Sequence, residues 1–599
     1  MAFPIIILLL FLLKFENITC KPADGYFDFI IVGAGSAGCI VAERLSANPE
    51  IRVLLIEAGG DSLQFLQDVP LAAVKLQNNA EYNWNYTNEK QGNECLAMED
   101  QRCNYPRGKG LGGSSQINAM MYVRGNPNDY DSWAAEGCTG WDYASILKYF
   151  KKSEHFTQSG QPGMIDPDSH GYNGPMFTEF PRFRTEYSQT FVQAGISLGM
   201  SHVDYNSERQ LGVSYLLAST HNSRRVDTGT EFVTKIAKNR PNFYVTYNSH
   251  VTKVLFDGNT AKGVLFDKGN LTYVAYITRE LILSAGSINT PQILMLSGIG
   301  PASTLNALKI PVLRDLPVGK NLQDHPALST TFTTRFSGKA IQFLASFDPL
   351  VTAKWTTQGG TQLSIPYSME ALVFGKCEGS SKPEGVPDFE LIFSPASYVT
   401  DLGLYQRRNH RMTKNFYDQV YSPLQRMAND SISAIVLLLH PKARGYVTLR
   451  DTNPFSKPLI YSNTFADPEA AKQDKKTILC GIRAAQKIFN SGPWNKYNPQ
   501  LYGLRIPGCS KFVIDADAHW ECVMEYLTTS MYHMSGTCRM GEKSDPTAVV
   551  TPDLKVIGIR KLRVIDVSVM RNVNSGHTAA PAMMIAEKGA DMIKQEHNI

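Results

Sequence analysis

Phe27-Asp28-Phe29-Ile30-Ile31-Val32-Gly33-Ala34-Gly35-Ser36-Ala37-Gly38 is the stretch that decides the fold. Residues 27–32 form a short apolar run rich in Ile, the pattern of a buried parallel strand. Gly33 permits a tight turn, Gly35 lets backbone approach a pyrophosphate, and Gly38 lets a helix pack close to the strand. Residues 39–46 read as that helix, whose N-terminal N–H groups and positive partial charge suit phosphate. Residues 52–56 are a second apolar strand, ending at Glu57, 19 residues beyond Gly38. A carboxylate there accepts the hydroxyls of an adenosine ribose. Strand, glycine turn, helix, strand and acid together predict dinucleotide binding; alone they do not separate FAD from NAD.

The chain around this unit has 599 residues, too many for one hydrophobic core, so two or three domains are expected. With 43% hydrophobic and 19% charged residues it has the composition of a globular enzyme and not of a disordered chain. A net charge of +4 gives no ground for nucleic acid or an acidic membrane as partner. The sequence carries no internal repeat.

Residues 5–13 are an unbroken apolar run. A bilayer span takes about 20 residues, whereas a secretory signal core is this short. No basic residue precedes the run and Lys14 follows it, a departure from the usual signal layout. The expectation is a signal peptide over residues 1–20, no membrane span, and a secreted protein. Asn85-Tyr86-Thr87, Asn270-Leu271-Thr272 and Asn429-Asp430-Ser431 are glycosylation triplets. Of ten cysteines, nine remain without Cys20, so at least one is free or bridges another chain. Cys95 with Cys103, and Cys509 with Cys522, flank short loops and read as local disulfides. Cys39 reads as a buried packing residue, and no Cys/His spacing resembles a metal site.

Residues 60–150 read as irregular. Strand patterns return at 243–256, 263–266 and 273–283. A helix over 290–297 takes Pro291 into its first turn and ends at Gly298. The stretch 330–440 reads as long loops, with an apolar central strand over 431–440. Residues 467–490 read as a helix, 562–565 as a strand ending at Asp566, and 581–594 as a closing amphipathic helix.

Four further stretches bear on chemistry. Arg107-Gly108-Lys109-Gly110-Leu111-Gly112-Gly113-Ser114-Ser115-Gln116-Ile117-Asn118 exposes backbone N–H groups to whatever lies against it, and a large anionic cofactor suits it. Ser284-Ala285-Gly286 ends a strand and stands to touch that cofactor. Met531-Tyr532-His533-Met534-Ser535-Gly536 and Asn574-Ser575-Gly576-His577-Thr578 each set one histidine among small residues. An imidazole there titrates near neutral pH and can take a hydroxyl proton.

These segments, in this order, resemble the glucose–methanol–choline (GMC) oxidoreductase family from about residue 27 to 593. The resemblance is closest to its secreted insect branch of glucose-dehydrogenase-like proteins and glandular alcohol oxidases. It implies an α/β fold: a FAD-binding Rossmann-type domain, discontinuous and built from both ends of the chain, with an α+β substrate-binding domain. The expected segments are 25–330 for FAD, 331–544 for substrate, and 545–595 for the return to the FAD domain. The resemblance implies FAD rather than NAD, held by Gly33, Gly35, Ser36, Ala37, Gly38, Glu57, Ala58, Trp84, Arg107, Gly112, Gly113, Ser114, Asn118, Val251, Ala285, Asp566 and Thr578. Some relatives tether FAD through a His in the second segment; Gln116 and its neighbours offer none, so noncovalent FAD is expected.

The resemblance matches His533 to the family's catalytic histidine and His577 to a second position held by His or Asn. Members of the insect dehydrogenase-like branch often carry Asn there. The sequence Gly576-His577-Thr578-Ala579-Ala580-Pro581 departs from that, which leaves alcohol oxidation intact and weakens an assignment to glucose. The expected reaction is oxidation of an alcohol to the aldehyde. His533 takes the hydroxyl proton, His577 steadies the oxygen, hydride passes to flavin N5, and dioxygen or a quinone reoxidises the cofactor. Two alternatives stand beside it: a cyanohydrin lyase using the same histidine pair, and a sugar dehydrogenase of the same family. Trp355, Tyr367, Phe374, Phe393 and Tyr398 lie in the specificity region, most of them expected in core packing. A small apolar primary alcohol is the expected substrate, and the oligomeric state is left open.

Overall fold

The computed structural model describes residues 25–61, 65–159, 163–235, 239–427 and 429–599. The expected signal peptide lies outside these residues. Two seven-stranded sheets organise the chain. In the first, parallel strands Phe243–Thr246, Val53–Ile56, Gly25–Val32, Leu271–Leu283 and Leu562–Val564 lie side by side in that order. Val53 to Ile56 are all buried and the end of the first strand is too, as a sheet covered on both faces requires. An antiparallel meander of Ser249–Asp257 and Thr260–Lys268 runs into the long strand Leu271–Leu283. That strand pairs first with the meander and then, at residues 281–283, with Leu562–Val564 from the far end of the chain.

The first and last helices among the described residues seal this arrangement. Helix Ser36–Ser46 packs against Ala579–His597. Across that contact the Arg44 guanidinium donates to both oxygens of the buried Glu587, at 2.9 and 2.7 Å. A planar fork on a carboxylate fixes orientation as well as position.

The second sheet is antiparallel, in the order Gln500–Leu501, Pro326–Thr333, Ser431–Leu438, Phe389–Ser394, Ala371–Gly375 and Gly212–Tyr215, with Thr529–Ser530 also on Pro326–Thr333. The strand expected over 431–440 is central, as its apolar run demands. Strands Ala371–Gly375 and Phe389–Ser394 fall where loops were expected, because both are buried and show no alternation. The second sheet takes Gly212–Tyr215 from within the 25–330 segment, and Pro326–Thr333 crosses its expected limit. Helices Pro127–Ala135 and Tyr143–Ser153 likewise stand where irregular chain was expected; Asn126 and Asp142 cap their N-termini.

The helix expected over 290–297 starts earlier, at Gly286, so Pro291 sits inside it and not in its first turn. Proline leaves the Ser287 carbonyl without its helical donor. The Thr537 hydroxyl donates to that carbonyl at 2.7 Å instead.

Disulfides join Cys95–Cys103 and Cys509–Cys522, as the spacing predicts, and also Cys377–Cys480. The last pair is 103 residues apart and carries no sequence cue. Cys39, Cys138 and Cys538 are free and buried.

Candidate active site

One large cavity runs between the two sheets, from the first glycine turn to the two histidines. Its first wall is the glycine turn itself. Gly35 precedes helix Ser36–Ser46 without any side-chain cap, so the N-terminal N–H groups of the helix stay open. A Cβ built on Gly35 would meet nothing within 4 Å, and one on Gly286 (φ +82°) likewise. Both glycines line the cavity, so each keeps open space that a side chain would take.

The second glycine segment docks on the first. Gly112 N–H donates to the Ala34 carbonyl at 2.7 Å, and Leu111 N–H to that of Gly60 at 3.0 Å. A Cβ on Gly113 would stand 2.7 Å from the Gly35 Cα. Glu57 ties both segments together: its carboxylate accepts from the N–H groups of Ala34 (2.9 Å), Gly59 (2.8 Å) and Gly110 (3.0 Å). A carboxylate has about four acceptor positions, so one remains for a ribose hydroxyl. Burial raises the Glu57 pKa while these hydrogen bonds oppose the rise.

Of the expected cofactor residues, Gly33, Gly35, Ser36, Ala37, Glu57, Ala58, Trp84, Arg107, Gly113, Ser114, Asn118, Val251, Ala285, Asp566 and Thr578 line the cavity. Gly38 and Gly112 do not. A Cβ on Gly38 would fall 1.9 Å from the Gly33 carbonyl oxygen, and one on Gly112 2.6 Å from Asp227 Oδ1. Both are packing glycines behind the wall. Asp566, expected at the cofactor, accepts from Gly286 N–H (2.9 Å), the Thr290 hydroxyl (2.7 Å) and Ser568 N–H (2.8 Å). It thereby holds the Ala285–Gly286 turn against the cavity. An open helix N-terminus, two glycines facing free space and a buried acid at the strand end fit an extended dinucleotide such as FAD.

His533 and His577 meet at the other end, ring centroids 4.6 Å apart and nearly perpendicular. The sequence did not single out their partners. His533 Nδ1 lies 2.8 Å from His325 Nδ1, and His325 Nε2 lies 3.2 Å from the Leu439 carbonyl. A carbonyl can only accept, so His325 carries its proton on Nε2 and offers Nδ1 as acceptor. His533 therefore carries its proton on Nδ1 and leaves Nε2 as a lone pair. Burial, then the charges of His577, His325 and Arg107, hold the His533 pKa well below its ordinary value. Burial likewise lowers His325 to about 3. His533 is thus a neutral imidazole whose Nε2 lone pair is set by its bond to His325.

The backbone around His533 is held just as firmly. Asp324 Oδ1 accepts the N–H groups of His533 and His325, both at 2.8 Å, and Oδ2 accepts the Ser530 hydroxyl. Tyr532 has φ +67°, a left-handed conformation that costs a bulky residue about 1–3 kcal/mol. Its carbonyl accepts from the Arg107 guanidinium at 2.8 Å, and its N–H donates to Ser530 Oγ at 2.8 Å. Ser287 Oγ donates to the Met534 carbonyl at 2.6 Å. His577 Nε2 lies 3.2 Å from Glu390 Oε1 on the second sheet. A buried acid inside an apolar strand, Glu390, gives no sequence cue beyond being out of place. Of the five aromatics in the specificity region, Tyr367 and Tyr398 line the cavity, while Trp355, Phe374 and Phe393 pack in cores.

Comparison with known proteins follows the same lines. A profile of the GMC oxidoreductase family spans residues 27–327, and a second GMC oxidoreductase profile spans residues 441–586. The chain belongs to the GMC oxidoreductase family. It is similar to the glucose dehydrogenase [FAD, quinone] of Drosophila pseudoobscura pseudoobscura, 34% identical over 96% of this chain and 87% of that protein. The alcohol dehydrogenase [acceptor] of Pseudomonas putida is 34% identical over 95% of each. Among solved structures, formate oxidase of Aspergillus oryzae RIB40 superposes with a TM-score of 0.82 at 26% identity, covering 96% of this chain and all of that one. As a GMC enzyme this chain is an FAD-dependent oxidoreductase acting on CH–OH groups, with the FAD fold and branch that the motifs predict.

Proposed function

We propose that this GMC enzyme oxidises an alcohol to its carbonyl with His533 as base. The His325–His533 hydrogen bond carries the reading, because it leaves His533 Nε2 unprotonated toward the reacting end of the cavity. Removing hydride from a carbinol is hard while the oxygen keeps its proton, so a fixed base lowers the barrier. His533 Nε2 takes that proton. His577, with its Nε2 3.2 Å from Glu390 Oε1, steadies the substrate oxygen through a ring N–H as that oxygen gains charge. Bound FAD supplies the hydride acceptor. The segment 113–118 contains no His or Cys, which supports noncovalent FAD.

Among the described residues no helix is long and apolar enough to cross a membrane, and three disulfides join the chain. Disulfides persist in oxidising compartments, which supports a secreted protein. Dioxygen or a quinone is the acceptor, and a quinone is named for the Drosophila relative.

Anaerobic mixing of the holoenzyme with a panel of alcohols tests the reaction. Bleaching of the yellow flavin is expected. A persistently oxidised spectrum with release of a carbonyl from cyanohydrins would instead favour the lyase. The same panel assayed for peroxide, with and without added quinone, identifies the acceptor.

A further inference from the structure

The turn that carries His577 is gripped from behind by an acid with no place at the cavity wall. Asp129 is the third residue past the N-cap of helix Pro127–Ala135, in the capping box that Asn126 opens. In such a box the acid at this place accepts the N-cap N–H, and Asp129 Oδ2 does so from Asn126 at 2.8 Å. A carboxylate has about four acceptor positions, so that bond leaves most of them over. Two go to Ser575: Oδ2 accepts its N–H at 2.6 Å and Oδ1 its hydroxyl at 2.7 Å.

Ser575 stands two residues before His577. Its carbonyl accepts from Gln210 Nε2 at 2.6 Å, and its Oγ lies 3.0 Å from His440 Nε2. Asn574 Nδ2 closes the turn on the His577 carbonyl at 3.3 Å and reaches the Arg124 carbonyl at the same distance. A Cβ on Gly576 would stand 2.4 Å from Val123 Cγ1, so the chain between Ser575 and His577 lies directly on Val123. Asn574, Ser575 and Asp129 are all buried. A buried N–H or hydroxyl left without its acceptor is costly, so the turn follows the carboxylate. His577 is thus held from two sides. Glu390 on the second sheet meets its ring, and Asp129 meets the backbone that carries it. His577 and Thr578 line the cavity, while Asp129 and Ser575 lie behind them.

We propose that Asp129 is a positioning residue for the reaction: by holding the Ser575 N–H and hydroxyl, it fixes where the His577 ring stands against the substrate oxygen. The proposal rests on the alcohol-oxidation reading and adds a residue to it. A misplacement of about 1 Å far from the reacting atoms can cost about 100-fold in rate. Asp129→Ala leaves the turn tied by Gln210 and Asn574, so part of that loss is expected.

The test is a double-mutant cycle on the holoenzyme. It measures kcat for one alcohol with an artificial electron acceptor, and flavin content and Tm for every variant. Asp129→Ala is expected to lower kcat by about tenfold or more in the natural background. Beside His577→Ala it should lower kcat by no more than about twofold, because the ring it placed is gone. The Tm loss from the missing helix cap should be the same in both backgrounds, which separates positioning from a purely structural role. An equal kcat loss in both backgrounds, or none in the natural one, overturns the proposal while leaving alcohol oxidation standing. Should Asp129→Ala fail to accumulate with flavin, Ser575→Ala runs the same cycle, keeping the helix cap and deleting only the hydroxyl. A several-fold kcat loss that vanishes beside His577→Ala then supports the proposal, and an equal loss or none overturns it. If His577→Ala itself costs nothing in kcat, the proposal falls with the role given to His577. If the natural enzyme oxidises no alcohol, the underlying reading falls and the proposal with it.

Discussion

At His533 the position of one proton is set two groups away, by the Leu439 carbonyl acting through His325. His325→Leu removes the acceptor and frees the imidazole to turn or to switch tautomer. We expect kcat to fall about 100-fold, the low end of general-base catalysis, with flavin content unchanged. Turnover close to that of the natural enzyme would remove His325 from the account. The pH dependence follows with its sign. His533 has its pKa depressed, so it is neutral and competent at every pH above that lowered value and is lost only as pH falls through it. The rate should stay flat from pH 8 down past the ordinary imidazole value of about 6.5 and drop only well below it. Half-loss of kcat/KM near pH 6.5 would contradict the assignment. His533 and His577 were legible because each stands in a small-residue turn. His325 was not, because its role comes from a partner 208 residues away, and Asp324-His325-Pro326 looks in sequence like a simple break between segments.

At the scale of elements, the glycine turn separates binding from folding. A Cβ on Gly35 enters free space beside the helix N-terminus, whereas one on Gly38 collides with the Gly33 carbonyl. Gly35→Ala should therefore leave the apo-protein's Tm nearly unchanged while lowering the flavin-to-protein ratio on purification. Gly38→Ala should lower Tm or prevent accumulation altogether. Equal behaviour of the two variants would show that the structural division is wrong. The strand–turn–helix unit was readable because period, glycine spacing and terminal acid agree. The buried strands Ala371–Gly375 and Phe389–Ser394 were not, since a strand covered on both faces loses the alternation that marks it. Glu390 hid inside the second of these. Its one distinguishing trait is that an acid there must find a partner, and that partner is His577 from the far end of the chain.

For the whole molecule, the chain ends meet and the site lies between them. The first strand pairs with Leu271–Leu283, which in turn pairs with Leu562–Val564, while Arg44 and Glu587 clasp the first and last helices. That closure was foreseeable from Asp566 and the closing helix. The disulfide Cys377–Cys480 was not, because its 103-residue loop is defined only by the fold. Closing so long a loop restricts the unfolded chain, so Cys377→Ser is expected to lower stability by about 2–4 kcal/mol under oxidising conditions and to change nothing when the natural protein is already reduced. Identical unfolding of the two oxidised proteins would argue against this bridge. The central claim is that His533 is the base of an FAD-dependent alcohol oxidation. It is tested most directly by mixing the His533→Ala holoenzyme and the natural holoenzyme anaerobically with the same alcohol and following flavin absorbance. The account predicts rapid bleaching in the natural enzyme and, in the variant, bound flavin that stays oxidised or bleaches at least about 100-fold more slowly. Bleaching at equal rates in both would contradict it.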